Sequence, residues 1–363
     1  MNRKKREQKP TFDLSRLKED VDTYTDGIYA LVTLVHHARW DDTKKALRND
    51  VRFGVGRRMR TLNKRPAADA NTEVTPDCVI QIGSAQGVVA EVKPGVARGK
   101  AIWEKNLRQI WKYDDALDGW WTPDGRLASH DIVALVPISR AVDFADLVKA
   151  RIADGGVSFV RPLTVLAFFK NTGAEKVFVT VKTEYGGLTD PALSERFRRA
   201  VPVDWKHLIT NYHDPKFIDA EPPLAYTLWV LWDYVFSQKA SGRQPDAGQR
   251  WIGVDVEVPA LTAEVQKYYG FSSDGPRSVE IPRQQWIRHA LDALVVFGKA
   301  KKTSDLGYLI KYSRHKAGAD TLAQFGRRCV QHGDRLYKLA AKKPLIAIAE
   351  SAPSVAATQL VKQ

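Results

Sequence analysis

The chain has 363 residues, of which 44% are hydrophobic, enough for substantial cores and for roughly two domains of about 150 residues each. Its 56 Lys and Arg residues outnumber 42 Asp and Glu residues, so the net charge is +14 and the partner that we expect is a polyanion such as nucleic acid. No apolar run reaches the ~18 residues of a membrane span, and the only two cysteines, Cys78 and Cys329, argue against structural zinc and against a disulfide framework.

The N-terminal part of the chain begins with a basic arm. Residues 1–12, with five basic and one acidic side chain among the first ten, are predicted to be disordered, and no signal-peptide core follows them, so we expect a cytoplasmic protein. An apolar run, Ile28 to Val35, indicates a helix that ends at His36 and His37. A second helix is predicted from Asp41 to Arg60.

A basic cluster lies around the end of that second helix. Its members come shortly before the next predicted strand and could bind phosphate, although a run of charges is equally compatible with a solvated surface. They are Arg57, Arg58, Arg60, Lys64 and Arg65.

Residues 75–93 have the pattern of a β-hairpin. Two β-branched runs, Cys78 to Ile82 and Val88 to Val92, flank a turn bounded by Gly83 and Gly87. If Ile82 pairs with Val88, Asp77 lies opposite Lys93, and alternation along the strands places Asp77, Glu91 and Lys93 on one face. The opposite face is then entirely apolar. We therefore expect one face to build core and the other to be open for chemistry.

The polar face suits chemistry on a phosphodiester. Two bare carboxylates would repel this anion, but Asp77 and Glu91 are hard oxygen ligands of the kind that Mg²⁺ or Mn²⁺ prefers. The bound ion would acidify a water and neutralise charge on the phosphorus, and Lys93 could orient that water. A surface hairpin with a solvated Glu-x-Lys pair is the alternative.

The next segment predicts a helix from Ala101 to Leu117. Ile102, Trp103 and Leu107 begin its apolar stripe, and Gln109 and Tyr113, four residues apart, share a face. Taken alone, this helix would have a solvated Gln109 and a core Tyr113. A buried strand from His130 to Val136, a helix from Ser139 to Ala153 and strands at Leu163–Lys170 and Val177–Lys182 follow, which indicates an α/β or α+β fold.

These residues resemble the PD-(D/E)XK nuclease superfamily. Pro76-Asp77 followed by Glu91-Val92-Lys93 matches its motif, and Gln109 with Tyr113 is similar to the Gln-x-x-x-Tyr motif of the RecB-like branch. The resemblance, over about residues 20 to 185, implies a restriction-endonuclease-like mixed central sheet flanked by helices in the order α-β-β-β-α-β. It implies metal ligation by Asp77, Glu91 and the Val92 carbonyl, a catalytic Lys93, a Gln109 that positions this lysine or the scissile phosphate, and a nearby Tyr113.

The same resemblance implies further metal ligands near the first helices. Members of the superfamily usually carry an acidic residue there, for which Asp50 is our choice among several candidates. RecB-like proteins often place a histidine ligand in this region, and His37 is available, although a histidine pair at the end of an apolar run is commonly structural. The number of metal ions stays open.

The C-terminal part is predicted to be a second domain. Residues 13–210 form the nuclease-like domain, 211–223 a linker, 224–345 a mainly helical domain and 346–363 a disordered tail. Its order of helix, strand, helix, helix and basic hairpin is typical of a winged helix. A helix from Ile281 to Phe297 would then read DNA through Arg283, Gln284, Gln285 and Arg288, and a wing with Lys299, Lys301 and Lys302 would bind phosphate. Winged helices also serve as protein-binding modules.

The sequence therefore predicts a Mg²⁺- or Mn²⁺-dependent DNA nuclease of a phage-defence, restriction or mobile-element system. RNA is an open alternative substrate because the phosphate chemistry is the same. A non-enzymatic alternative is a DNA-binding or assembly subunit that keeps the nuclease fold as a scaffold. Other proteins of a multi-subunit system are possible partners, and the sequence leaves the oligomeric state and the choice between endonuclease and exonuclease open.

Overall fold

A computed structural model describes residues 13–62, 73–93, 100–173, 176–271, 280–314 and 319–341. Its helices are α1 (Leu14–Arg39), α2 (Lys100–Trp111), α3 (Ile138–Ala153), α4 (Pro191–Arg198), α5 (Trp205–Tyr212), α6 (Leu224–Val230), α7 (Ser237–Lys239), α8 (Val258–Tyr269), α9 (Gln284–Val296), α10 (Thr321–Gln331) and α11 (Gly333–Ala341), with a π-helical segment, Leu231–Phe236, between α6 and α7.

The strands are short in the connections and long in the centre of the molecule. They are β1 (Trp40–Asp41), β2 (Ala46–Leu47), β3 (Val51–Val55), β4 (Met59–Thr61), β5 (Glu73–Val74), β6 (Cys78–Ile82), β7 (Gln86–Val92), β8 (Leu117–Asp118), β9 (Ser129–Pro137), β10 (Leu163–Thr172), β11 (Val177–Tyr185), β12 (Pro202–Asp204), β13 (Ile252–Glu257), β14 (Ala300–Lys302) and β15 (Gly307–Tyr312).

The central sheet has seven strands in the order β12-β11-β10-β9-β7-β6-β3. Strands β7, β9 and β10 are parallel neighbours, and the remaining pairs are antiparallel. Helices α2 and α3 make the two crossovers between the parallel strands, as parallel pairs require. The mixed α/β class with helices around one central sheet is therefore confirmed, and the predicted strands at His130–Val136, Leu163–Lys170 and Val177–Lys182 all form within β9, β10 and β11.

The predicted helix from Asp41 to Arg60 is wrong. The segment instead contains β1 to β4, and β3 forms the edge of the central sheet, pairing Val51 with Ile82 and Val55 with Cys78. Gly54 and Gly56 each disfavour a helix by about 1 kcal/mol relative to alanine. Burial of the apolar side chains of β3 against the sheet then decides the conformation, because tertiary packing outweighs a weak local preference.

Helix α1 packs across the sheet and links it to the C-terminal part. Asp13 caps the helix by accepting hydrogen bonds from the N–H groups of Ser15 and Arg16. Within α1, the Tyr24 ring lies 5.0 Å from that of Tyr226 in α6, and the Tyr24 hydroxyl accepts a hydrogen bond from the Ile218 N–H at 3.2 Å. The segment predicted to be a linker thus includes a fully buried Ile218.

The C-terminal part has the predicted order of elements. A three-stranded antiparallel sheet, in the order β13-β15-β14, packs with α8 and α9, and the turn between β14 and β15 follows Lys301 and Lys302. Helix α9 begins at Gln284, three residues later than predicted, because Arg283 has extended backbone angles and occupies the N-cap position. One apolar cluster contains residues of both the central sheet and α6, α9 and α10, so the two parts share a core.

Candidate active site

Strands β6 and β7 form the predicted hairpin, but in a different register. Ile80 pairs with Val88 and Ile82 pairs with Gln86, so each residue is two positions away from the predicted partner. The turn is tighter than expected because Gly83 adopts a positive φ of 60°, and the Gln81 side chain donates a hydrogen bond to its carbonyl. A shift of two residues leaves every side chain on its predicted face, since strand side chains alternate with a period of two.

The new register brings Asp77 next to Glu91 instead of Lys93. The Asp77 N–H donates to Glu91 Oε2 at 3.4 Å, and the Val92 N–H donates to Asp77 Oδ2 at 2.7 Å. The backbone of each strand therefore holds the carboxylate of the other. This reciprocal arrangement places the two acidic side chains together and fixes the Val92 peptide beside them.

Both faces of the hairpin are buried, which corrects the expectation of one open face. The predicted apolar side chains, including Cys78, Ile80 and Val92, lie in the cluster that contains α1. On the other face, Val79 and Val89 pack with α2 and α3 in a second cluster. The end of the hairpin away from the turn carries three charged side chains, and these are nearly covered: Asp77 is 8%, Glu91 3% and Lys93 9% exposed.

Glu91 lies at the centre of a hydrogen-bond network. Its Oε1 accepts from Lys93 Nζ at 2.8 Å and from the Gln109 amide, and its Oε2 accepts from the Tyr113 hydroxyl at 2.7 Å. Lys93 Nζ also donates to Gln109 Oε1 at 2.9 Å. The residues that the sequence analysis selected from two separate motifs thus meet at one carboxylate.

Gln109 and Tyr113 reach Glu91 from different types of structure. Helix α2 ends at Trp111, six residues before the predicted end, so Gln109 lies in its last turn and Tyr113 in the turn that follows. The buried His130 ring, through its Nε2, lies 2.9 Å from the Tyr113 carbonyl oxygen and ties this turn to β9. Tyr113 is thereby placed by the sheet as well as by its helix.

Among the described residues, the carboxyl groups of Asp77 and Glu91 lie beside one ammonium group, that of Lys93. Burial, and then the adjacent Glu91, raise the pKa of Asp77 well above its ordinary value, and Lys93 opposes this shift. Burial and Glu91 likewise raise the pKa of Tyr113, which keeps the phenol protonated as a donor. Asp77 and Glu91 offer hard oxygen donors, and such a donor set fits Mg²⁺ or Mn²⁺. Among the described residues, no three His, Cys, Asp or Glu side chains are already arranged as metal ligands.

A further acidic residue, Asp219, approaches the site from the segment between the two parts. Burial is the main cause that raises the pKa of Asp219, and the charge of Glu91 adds to it. The charge of Asp219 in turn contributes to the raised pKa of Asp77. Arg283 at the start of α9 forms an ion pair with Asp219, with Nη2 2.5 Å from Oδ1. The sequence analysis missed Asp219, because its local pattern, one of several acidic residues in a proline-containing segment, holds no signal that could have identified it.

Asp50 and His37, the two further residues considered as metal ligands, lie away from the Asp77 carboxylate. Asp50 is beside the hairpin turn, where its carbonyl accepts from the Gly83 N–H, and strand β6 separates it from Asp77. Its carboxylate pairs with Arg48 at 2.7 Å. His37 is buried at the end of α1, with its ring 5.3 Å from that of Phe197, and burial lowers its pKa to about 4. The structure brings neither residue to the Asp77 carboxylate.

The first basic cluster is divided by burial. Arg57 is only 3% exposed, donates through Nε to the Gly119 carbonyl at 2.7 Å and stacks its guanidinium 4.0 Å from the Trp121 ring centre, so it has structural partners. Arg58 and Arg60 are exposed. The last two members, Lys64 and Arg65, lie outside the described residues.

The C-terminal basic residues also differ in their surroundings. Lys301 and Lys302 are exposed on β14, and Arg288 is exposed on α9. Lys299 is partly buried, with Nζ 5.7 Å from the Trp232 ring centre, and burial lowers its pKa. Arg283, predicted to read bases, is instead engaged with Asp219.

Comparisons with models of protein families, with curated proteins and with solved structures found no match to this chain. None of the helices within the described ranges has the length and apolar character needed to cross a membrane.

Proposed function

We propose that this protein is a divalent-metal-dependent nuclease that hydrolyses phosphodiester bonds in DNA. The observation that supports this best is the Glu91 carboxylate, which lies beside Asp77 and accepts hydrogen bonds from Lys93, Gln109 and Tyr113. A structural role alone gives no reason to bury two carboxylates together with an ammonium group at the end of one hairpin.

The proposed metal would be held by Asp77 and Glu91, with the Val92 carbonyl as a third ligand. A bound Mg²⁺ or Mn²⁺ supplies a more acidic water and neutralises charge on the phosphorus. In the hydrolysis that this site would support, the attacking water would form one P–O bond as the bond to the leaving oxygen breaks, and the proton lost by the water would pass to that oxygen.

Lys93 and Gln109 would prepare the site for this step. A lysine ammonium has three N–H donors, of which two go to Glu91 and Gln109. We assign the third to the attacking water or to an oxygen of the scissile phosphate. Gln109 binds both Glu91 and Lys93, so it would keep the metal ligand and the cation at a constant separation.

The net charge of +14 favours DNA as the substrate. Exposed cations in both the N-terminal and the C-terminal part of the chain favour it as well. Arg58 and Arg60 would contact phosphate near the site, and Lys301 and Lys302 would do so from the β14–β15 hairpin in a winged-helix-like module. RNA offers the same phosphates, so it is a second substrate to test. We place such an enzyme in a phage-defence, restriction or mobile-element system, with other proteins as possible partners.

The direct test is incubation of the full chain with closed circular DNA, linear DNA and RNA in Mg²⁺, Mn²⁺ or EDTA. Loss of closed circles would indicate an endonuclease, whereas loss of linear DNA alone would indicate an exonuclease. Asp77→Asn and Lys93→Ala should abolish the metal-dependent cleavage, and Lys44→Ala, at an exposed lysine, should not. Normal turnover of Lys93→Ala would refute the mechanism.

One observation favours a second candidate, a catalytically silent DNA-binding or assembly subunit. Both Glu91 oxygens are occupied by protein donors, and the polar groups of the site are less than a tenth exposed. In a scaffold these contacts would be permanent. Calorimetry distinguishes the two candidates, because the enzyme should bind Mg²⁺ through Asp77 and Glu91 and the scaffold should bind none.

A further inference from the structure

A cavity of about 550 Å³ lies at the C-terminal end of α1. Its walls come from the last turn of α1 and the residues after it, from α4, and from β12 and the start of α5. Neither Glu91 nor any side chain that contacts it lines this cavity, so it is separate from the candidate active site. Its volume is within the range of roughly 300–1,000 Å³ that is usual for small-molecule sites.

Two buried histidines of the cavity wall have ring nitrogens without partners. His36 and His37, in the last turn of α1, are each only 4% exposed, and both line the cavity. His36 Nδ1 and His37 Nε2 have no hydrogen-bond partner among the described residues. Buried polar atoms in native proteins are nearly always hydrogen-bonded, so two orphaned nitrogens at one cavity require an explanation. A ligand that occupies the cavity would supply the missing partners.

Both imidazoles are neutral in the folded chain near pH 7. Burial, before any other cause, lowers the pKa of His36 to about 3 and that of His37 to about 4. A neutral imidazole has one N–H donor and one acceptor nitrogen. The pair therefore suits a ligand that carries both donors and acceptors, and it suits an ionised carboxylate less, because a carboxylate only accepts.

The charged side chains of the cavity wall balance one another. They are two cations, Arg196 and Lys206, and two carboxylates, Asp42 and Asp204. Arg196 pairs with Asp42 at 3.0 Å, and Asp204 caps α5 by accepting from the Lys206 N–H at 2.9 Å. Since neither sign of charge is in excess among these four side chains, the wall favours an uncharged ligand.

Three aromatic rings form one side of the cavity. The ring centres of Trp40 and His36 are 5.3 Å apart, those of Trp40 and His207 are 4.9 Å apart, and those of His36 and His207 are 5.0 Å apart. Trp40 is half-buried and His207 is exposed, so both rings have surface that a ligand can cover. A flat heterocycle can stack on such rings while its edge forms hydrogen bonds.

We propose that this cavity binds a nucleobase. A nucleobase is flat and uncharged, and its edge carries both hydrogen-bond donors and acceptors, so it matches the rings, the charge balance and the orphaned nitrogens of the wall. The base belongs either to a free nucleoside or to an unpaired nucleotide of a DNA strand, and the recognition chemistry is the same in both. This inference goes beyond the proposed function and does not depend on it.

Calorimetric titration of the full chain with deoxyadenosine, deoxyguanosine, deoxycytidine and thymidine measures this binding directly. EDTA in the buffer removes any metal from the candidate active site, so that site cannot hold the nucleoside through a metal ion. At least one nucleoside should bind, and deoxyribose, which lacks a base, should not. Absence of binding for all four nucleosides and for a short single strand of DNA would overturn the proposal.

His36→Phe tests the residue on which the proposal depends most. The change keeps an aromatic ring but removes both nitrogens, so affinity for the base should fall by roughly tenfold or more. The unfolding temperature should stay the same or rise, because an apolar ring replaces a buried polar ring without partners. Unchanged affinity in a folded His36→Phe variant would exclude this cavity as the binding site.

A second variant keeps the test valid if His36→Phe does not fold. His207→Ala removes an exposed ring from the wall, so it should weaken binding of the base with little effect on stability. Tyr268→Ala is the matched control, since it removes a ring that is 55% exposed on α8 and does not line the cavity, and it should leave affinity unchanged. Equal affinity of His207→Ala and Tyr268→Ala would contradict stacking at this site.

Single-stranded DNA distinguishes the two sources of the base. The affinities of the wild type and of His36→Phe are compared for a short single strand and for the same strand without bases, both in EDTA. A loss caused by His36→Phe with the intact strand alone assigns the cavity to an unpaired base of DNA. No loss with either strand assigns it to a free nucleoside. An equal loss with both strands would show that the base is not recognised and would overturn the proposal.

Discussion

The Lys93 ammonium donates a hydrogen bond to the Gln109 side-chain oxygen at 2.9 Å, which joins the end of β7 to the last turn of α2. Both side chains also bind the same oxygen of Glu91. Three polar residues from two elements therefore form a closed set in which each contacts the other two. Such a set keeps its geometry before any substrate arrives, which is the condition for a catalytic group to act without reorganisation.

Gln109→Ala should lower turnover more than it lowers DNA affinity. The change frees Lys93 and removes a donor from Glu91, both of which matter for the reaction rather than for bulk binding. We expect a loss in kcat of roughly 10- to 100-fold, comparable with other losses of a supporting contact at a metal site. Gln249→Ala, at an exposed position between α7 and β13, is the control. Full activity of Gln109→Ala would remove the main support for a RecB-like site.

Tyr113→Phe should be milder in activity and measurable in stability. It deletes the hydroxyl that donates to Glu91 Oε2 at 2.7 Å and leaves a buried acceptor with fewer partners, at a cost of about 1–3 kcal/mol. Denaturant unfolding in EDTA gives this loss, and single-turnover cleavage gives the effect on chemistry. A variant as stable as the wild type would show that the Tyr113 hydroxyl contributes nothing to holding Glu91.

Asp77 should make the metal-free protein less stable as the pH rises. Because burial and Glu91 raise its pKa in the folded state, the unfolded chain releases this proton first, at a pH of about 4, and stability declines from there up to the raised folded pKa. Asp77→Asn should abolish this decline in EDTA.

Above a pH of about 4, Mg²⁺ should restore the stability of the wild type but not that of Asp77→Asn. The gain in unfolding free energy should be about 2.7 kcal/mol at a Mg²⁺ concentration 100 times the Kd. Unfolding free energies at pH 5 and pH 8, with EDTA and with Mg²⁺, test both parts. Asp50→Asn, at a carboxylate 54% exposed and remote from the site, is the control. Equal Mg²⁺ stabilisation of wild type and Asp77→Asn would rule out Asp77 as a ligand.

Three buried histidines should weaken the fold in acid. Burial, before any other cause, lowers the pKa of His36 to about 3 and those of His37 and His130 to about 4. Their stabilising contribution is complete above pH 6.5, the ordinary histidine value, and is lost as the pH falls towards these folded values. Each histidine should add a slope of about 1.4 kcal/mol per pH unit in that window.

Unfolding free energies between pH 7.5 and pH 5 measure this slope. His37→Gln should flatten it, because the ring that burial keeps neutral is then absent. A slope that His37→Gln does not alter would show that this ring is protonated equally in the folded and unfolded chain.

The β14–β15 hairpin should contribute phosphate contacts to DNA binding. Lys301→Gln and Lys302→Gln should each flatten the plot of log affinity against log salt by about 0.9 if the lysine touches a duplex phosphate. Lys44→Gln, with a side chain 79% exposed in the N-terminal part, is the control. Unchanged slopes for both hairpin variants would indicate that this module binds a protein and that DNA is held elsewhere.

The local sequence pattern was sufficient to predict the β6–β7 hairpin, the polar residues at its end and most strands of the central sheet. Alternation along Cys78–Ile82 and Val88–Val92 assigned each side chain to the correct face, and a register error of two residues changed no face. Gln109 and Tyr113 were identified by their spacing, although the helix ends between them. The helix predicted over β3 was wrong because the paired strand β6 stabilises an extended edge that sequence periodicity does not reveal.

The acidic environment of the site depends on residues that are distant in the chain. Asp219 and Arg283 have no local pattern that connects them to one another or to Asp77. Asp219 lies beside Gly56, next to the Asp77 strand, because the Ile218 N–H donates to the Tyr24 hydroxyl and Gly56 has no side chain that would fill the space at Asp219 and Ile281. Residue types alternate along a strand with a period of two, so the face on which each side chain lies can be predicted from the sequence alone. Ion pairs between residues that are distant in the sequence depend on how α1, the central sheet and α9 pack together. The apolar core that these elements share determines that packing.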